Sequence, residues 1–178
     1  MKLSLRTLTY LVVLIFCSKS YATIVTFETR TLDNGVDASD FSGSWASQSS
    51  AIELHSFTDF TMLRSGDPTM THIHIDLTLD RENVNWQFIF GIDAGLGAGV
   101  YLDDNLLYSR GDDIWWLRDW QHEDVFNVNF TNLGRSNQTI DIYWAEVCCD
   151  GPSTIKFIAN DNVEYALSAA NLDAVSTP

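Results

Sequence analysis

The sequence predicts an all-β fold, an antiparallel sandwich of two sheets in the jelly-roll manner. Two observations lead there. Apolar and polar residues alternate with a period of two through most of the chain, and clusters of Asp, Asn, Gly and Pro separate the alternating runs. A strand shows successive side chains to opposite faces, so each such run has one apolar face, and sheets built from them bury those faces against each other.

Taken in order, residues 24–29 read as an N-terminal strand. Residues 39–50 are rich in Ser and small side chains around Phe41 and Trp45, and read as a loop or irregular edge. Thr71, Ile73, Ile75, Leu77 and Leu79 then share one strand face, with His72, His74, Asp76 and Thr78 on the other. After a turn at 80–83, Val84, Trp86, Phe88, Phe90 and Ile92 form a second apolar face opposite Asn85 and Gln87. Residues 100–102 and 106–108 flank Asp103-Asp104-Asn105, a tight hairpin, because Asp and Asn tolerate left-handed backbone angles. Phe126, Val128 and Phe130, then Ile140, Ile142 and Trp144, then Ile155, Phe157 and Ala159 complete the strands, with breaks at 132–137 and 150–152. Residues 163–174 have the composition of one short C-terminal helix.

Lys2 and Arg6, an apolar run over 8–16 and Ser20-Tyr21-Ala22 make residues 1–22 a cleavable export leader, which directs the protein outside the cytoplasm, to the periplasm or the medium. The run is too short to span a bilayer, and Phe16 is too large to precede a lipidated Cys17. Residues 23–178 are then one domain. Three of the ten basic residues leave with the leader, so seven face 24 acidic ones, a net charge of −17. Such a surface repels phosphate backbones and excludes nucleic acid as a partner; cations suit it better.

The mature chain keeps Cys148 and Cys149, adjacent in sequence. In an oxidising compartment they can pair with each other, pair between chains or stay free. The expectation is a vicinal ring, a stiff edge suited to the turn that Asp150-Gly151-Pro152 announces. Glu146 has the strand parity of Ile142 and Trp144, so it points inward and needs a metal, an Arg or backbone amides as partner.

Carboxylates gather at Asp93, Asp103-Asp104 and Asp112-Asp113. Loops from one end of a sandwich can hold calcium with such oxygens, and Asp93, Asp112 and Asp113 are the candidate ligands; solvated turns are the plainer reading. His72 and His74 can grip a transition metal beside Asp76, but no third ligand is legible, and a polar sheet face is the expectation. Gly95-Leu96-Gly97-Ala98-Gly99 precedes a strand, not a helix, and is no nucleotide loop. Trp115, Trp116 and Trp120 break both periodicities. Flat indoles beside carboxylates suit sugar rings, and equally suit a protein interface or a plug at the sandwich end.

The stretch from Val84 through Ile92-Asp93, a glycine-rich break and Val100-Tyr101-Leu102-Asp103-Asp104-Asn105-Leu106 resembles the core of the anthrax protective-antigen domain family. Tyr143-Trp144-Ala145-Glu146 through Ile155-Lys156-Phe157 looks like its final hairpin. The resemblance implies a β-sandwich and, through the flocculin members, sugar binding with calcium held by paired Asp residues before the hairpin. Asp93 matches the first of these, and Ala94 stands at the second. Glu146-Val147-Cys148-Cys149-Asp150-Gly151 is similar to the E-x-C-C-x-G motif of a group of exported bacterial proteins.

These readings converge on an exported binding module for carbohydrate at the cell surface or matrix, helped by calcium. Its contact residues would be Asp93, Asp103, Asp104, Trp115, Trp116 and Trp120, with Glu146 and the Cys148–Cys149 ring stiffening the edge. A structural protein that uses the Trp loop as a protein–protein anchor is the alternative. No Ser-His-Asp, Cys-His or zinc-hydrolase motif occurs, so a non-enzyme is expected, and a two-carboxylate glycosidase is the remaining enzymatic reading.

Overall fold

The computed structural model describes residues 22–49, the backbone of 53–56, and residues 63–176; the segment 1–22 expected to be an export leader lies outside them except for Ala22. In chain order the elements are β1 (Ile24–Thr31), α1 (Phe41–Ser47), β2 (Glu53–Ser56), β3 (Thr69–Thr78), β4 (Val84–Gly91), β5 (Asp93–Ala94) and β6 (Ala98–Leu102). They continue with β7 (Asn105–Arg110), β8 (Ile114–Trp115), β9 (Phe126–Leu133), β10 (Asn137–Glu146), β11 (Thr154–Ile158), β12 (Glu164–Ala166) and α2 (Ala169–Ser176). A larger sheet runs β2-β1-β3-β10-β6-β7, a smaller one β12-β11-β4-β9, and β5 pairs with β8 in a short ribbon.

All pairings are antiparallel, and their registers keep the alternation in phase from strand to strand. Ile73 faces Ile142 and Ile75 faces Ile140 in the larger sheet. Phe88 lies between Phe157 and Val128 in the smaller one. These inward faces merge into one core. Phe88 sits at its aromatic centre, edge-on to Phe130 at 4.9 Å and 5.4 Å from Phe157. Tyr108 of the larger sheet stacks at 4.7 Å on Phe126 of the smaller, tying the layers together. A one-residue slip in any of these strands would turn its apolar set to water, so the pattern specifies the register strongly.

The turn at 103–105 forms as its residues predict. Asp103 and Asp104 have φ of 47° and 63°, the left-handed pair of a tight hairpin. Asp103 also accepts the backbone N–H of Thr139 at 2.8 Å, which seats the tip against β10.

Two segments differ from expectation. Residues 39–50 are not a loop: Asp40 caps a helix, its carboxylate accepting the N–H of Gly43 at 2.8 Å, and α1 follows. Phe41 and Trp45 stand one turn apart and pack with Met70, Tyr101 and Tyr143 in a second apolar cluster on the outer face of the larger sheet. Gly99 makes the room, since a β-carbon there would run into the Phe41 ring. The helix is short and Ser-rich, so tertiary burial of two aromatics holds it, not propensity. At the C-terminus, residues 164–166 leave the expected helix to pair with β11 as β12, and α2 begins only at Ala169, burying Leu172 and Val175.

Phe88→Ala should remove about 3–5 kcal/mol of unfolding free energy, as aromatic deletions from cores do. Asp40→Ala should cost about 1 kcal/mol through the lost cap. Urea denaturation followed by tryptophan fluorescence measures both.

Candidate functional site

One end of the sandwich collects the features that break the alternation. β4 finishes at Gly91, and the chain turns at once into β5, where Asp93 pairs with Trp115 of β8. β10 reaches the same end: Leu96 N–H donates to the Ala145 carbonyl at 3.0 Å, and Ala145 N–H to the Gly97 carbonyl at 3.2 Å. Gly97 takes a φ of +87° to make that turn. The 147–152 turn then returns to Ser153, whose hydroxyl accepts the Asp93 N–H at 3.1 Å.

Glu146 points inward, as its parity predicts, and is buried. Its carboxylate accepts three backbone N–H groups: Gly95 at 3.0 Å, Val147 at 2.8 Å and Cys148 at 2.8 Å. Of the partners a buried carboxylate can take, it uses backbone amides. It is a brace between the glycine-rich loop and the cysteine turn.

Asp93 is also buried, and less well served. Burial, then the neighbouring Glu146 charge, with Asp113 and Asp150 adding to it, push its pKa up to about 6 against the lowering effect of the Gly151 backbone hydrogen bond. Gly151 lies so close that a β-carbon would overlap the Asp93 carboxylate. The turn that carries Gly151 is stiff. Cys148 and Cys149 are disulfide-bonded to each other, with Cα atoms 3.7 Å apart, and Cys149 adopts a φ of 76°. The Cys149 N–H donates to Asp67 at 2.9 Å, and Asp150 accepts the Gly66 N–H at 2.9 Å, which fastens the turn to the segment before β3. Both cysteines are exposed.

The indoles divide. Trp115 is 60% exposed, with its backbone N–H held by Asp124 at 3.0 Å. Trp116 is 4% exposed and lies flat on Gly91, so it plugs the sandwich end and offers no surface to a ligand. Trp120 is half-buried, 5.0 Å from Trp116, and is covered by the Lys156 ammonium at 4.1 Å.

The site residues read from the sequence therefore fall into three groups. Asp93, Asp113, Glu146, Trp115 and the cysteine pair share one end. Asp112 is exposed and engaged by Arg110, which also holds Asp124 at 3.2 Å; that pairing keeps its carboxyl below the usual range and takes it out of the Asp93 group. Asp103 and Asp104 sit beside Thr139. Thr139 and Glu146 are seven residues apart on β10, about 23 Å at the rise of a strand. The correction is topological: in sequence the hairpin tip follows the glycine loop closely, but β6 carries it the length of the sheet.

Gly151 and Ser153 hold Asp93, and Asp150 adds its charge, from a stretch that reads in sequence only as a turn. A concavity of about 600 Å³ lies elsewhere, on the smaller sheet between Gln87, Asn129, Thr131, Ile158 and Asn160. Its amides alternate with core residues in the sequence and carry no motif.

No family model matches the chain, and no curated protein matches it. Solved structures do. The PA14 domain of the MpAFP antifreeze protein superposes with a TM-score of 0.55 at 16% identity over 86% of this chain and 92% of that one. The PA14 sugar-binding domain of an RTX adhesin gives 0.56 at 8% identity over 84% and 97%. The Epithelial Adhesin 6 A domain from Candida glabrata, solved with Galb1-3GlcNAc, gives 0.55 at 8% identity over 86% and 88%. At such identities the likeness is one of architecture: this chain is a β-sandwich folded like these domains.

Asp93 gives a pH signature. Its folded pKa of about 6 lies above the ordinary 3.8, so its ionised form is disfavoured in the folded state, and stability falls as pH rises from about 4 to 6 and is level above. Asp93→Asn should melt higher than wild type at pH 7.5 in the presence of chelator, with the gap closing at pH 4. Scanning calorimetry at the two pH values measures it.

Proposed function

We propose that this is an exported, non-enzymatic carbohydrate-binding module acting at the cell surface or matrix, with its recognition surface at the β5–β8 end. The observation that carries the reading is the pairing of Asp93 with Trp115. A buried carboxylate with unspent acceptor capacity lies in register with an indole whose face is open to water. The electron-rich face of an indole attracts the C–H groups of a sugar ring, and the carboxylates beside it accept hydroxyl hydrogens. The crowded charges of Asp93, Asp113, Glu146 and Asp150 suit a calcium ion, whose charge would relieve the repulsion that raises the Asp93 pKa. PA14 neighbours described as sugar-binding or bound to a disaccharide support the class. The leader in the sequence supports export, and among the described residues no helix is long and apolar enough to cross a membrane.

A glycosidase needs two working carboxylates. Glu146, the carboxylate that acts most strongly on Asp93, is already engaged by three backbone amides as a structural brace. A protein partner is the second reading, favoured by Leu117 and Val147, which are exposed as Trp115 is.

A glycan array probed with the purified protein, with calcium and with chelator, tests the proposal. Binding is expected to weaken at least tenfold in Trp115→Ala and to persist in Asn129→Ala; chelator should weaken it. No retained glycan under either condition ends the sugar reading. Binding that survives Trp115→Ala and fails in Asn129→Ala moves the site to the amide-lined concavity. A concentration-dependent oligomer in size-exclusion chromatography, abolished by Trp115→Ala, would favour the protein-anchor reading.

A further inference from the structure

The outer face of the larger sheet carries a second constellation, far in chemistry from the Asp93 end. His72 and His74 alternate on β3, and register places Asp141 of β10 directly opposite His74. The Asp141 Oδ1 lies 2.7 Å from His72 Nε2 and 2.7 Å from His74 Nδ1, and the three donor atoms all fall within 4.8 Å of one another. We propose that these atoms, His72 Nε2, His74 Nδ1 and an Asp141 oxygen, form a site for a zinc-class divalent ion with a fourth position open to solvent.

Three features beyond the donor set support it. The first is the outer partner of His74: its Nε2 lies 3.3 Å from Asp76 Oδ1. Histidines that bind metal through one nitrogen characteristically donate the other N–H to a carboxylate, which fixes the tautomer and raises ligand basicity. Without an ion the His74 Nδ1–H donates to Asp141; once Nδ1 gives up that hydrogen to hold a metal, Asp76 is placed to accept the Nε2–H. The second is rigidity. The His72 ring is stacked on Tyr143 at 4.3 Å and 9°, and Trp45 of α1 packs 5.3 Å away on the same ring. The missed helix α1 thus fixes a donor in place. The third is access: α1 covers the His72 side, while the His74 side chain keeps about a third of its surface in solvent.

Two imidazoles with one carboxylate select zinc, copper or nickel over calcium, which prefers oxygen donors. Tetrahedral zinc at 2.0–2.2 Å from each donor separates them by about 3.3 Å, so the ring-to-carboxylate pairs must open by roughly half an ångström. Small side-chain rotations supply that. On binding, the hydrogens that bridge the rings to Asp141 are displaced: each ring moves to its other tautomer or releases a proton to buffer. Glu28 faces His72 across β1 but is engaged by Arg30 at 3.5 Å.

Isothermal titration of zinc chloride into chelator-stripped full-length protein tests the site. One ion per chain is expected, with a dissociation constant below about 10 µM, weakened at least 30-fold in His74→Gln. Asp76→Asn should weaken it about 10- to 100-fold, as lost outer partners do. Excess calcium should leave the isotherm unchanged, which separates this site from the Asp93 end. No uptake at 100 µM zinc, or uptake unchanged in both variants, overturns the proposal. Should His74→Gln fail to fold, the histidine ring ¹⁵N shifts of the wild type decide: zinc should move His72 Nε2 and His74 Nδ1 and leave His122 in place, and movement confined to His122 overturns it.

Discussion

Strand β10 is the constraint on which the rest depends. It pairs with β3 along its whole length and with β6 from Ile140 to Trp144, so it is the interior strand through which the larger sheet is assembled. Its inward residues, Ile140, Ile142 and Trp144, are fully buried in the main core. Its outward residues, Asp141 and Tyr143, organise the histidine face and the seat of α1. Its last residue, Glu146, ties the glycine loop to the cysteine turn. One ten-residue strand therefore carries the packing of the domain and positions both candidate sites at different places along it.

The two sites manage buried charge in opposite ways. Asp141 is desolvated, which alone would raise its pKa, but hydrogen bonds from His72 and His74 and their charges outweigh that and hold it down to about 2. Its neighbour His74 is raised, first by the same hydrogen bond to Asp141 and against its own burial. Asp141 thus adds stability above the ordinary carboxylate range that is lost as pH falls toward 2. The His74 contribution is complete below its ordinary 6.5 and fades as pH rises through its raised value. Asp93 is desolvated and bears the negative charges of its neighbours, so its ionisation works against folding. A polar group left in that condition at a surface end is characteristic of a binding position, where a ligand or ion supplies what the protein withholds.

The long central strands were legible because burial on one face leaves an unmistakable period; the short β2, β5, β8 and β12 leave too few alternations to read. The hairpin at 103–104 was legible because few residues accept left-handed angles. The helix α1 was not, since Ser42-Gly43-Ser44 has poor propensity and only the spacing of Phe41 and Trp45 behind Asp40 hints at it. The inward aim of Glu146 followed from strand parity; its choice of backbone amides depended on where the 95–97 loop falls. Trp116 and Trp115 could not be ranked from sequence, because adjacent residues on a short ribbon point opposite ways and the sense is decided by the contact with Gly91.

Local chemistry, written along the chain, determined the sandwich class, the phase of β3, β4, β9, β10 and β11, the tight acidic hairpin and the presence of a twin-cysteine turn. Tertiary structure alone decided which carboxylates are neighbours. It sent Asp103 and Asp104 to one pole and kept Asp93 at the other, and it brought Asp141 across 67 residues to His74. The reason is physical: alternation specifies which way a side chain faces, but only strand order and register, set by the summed burial of the whole core, specify what it faces.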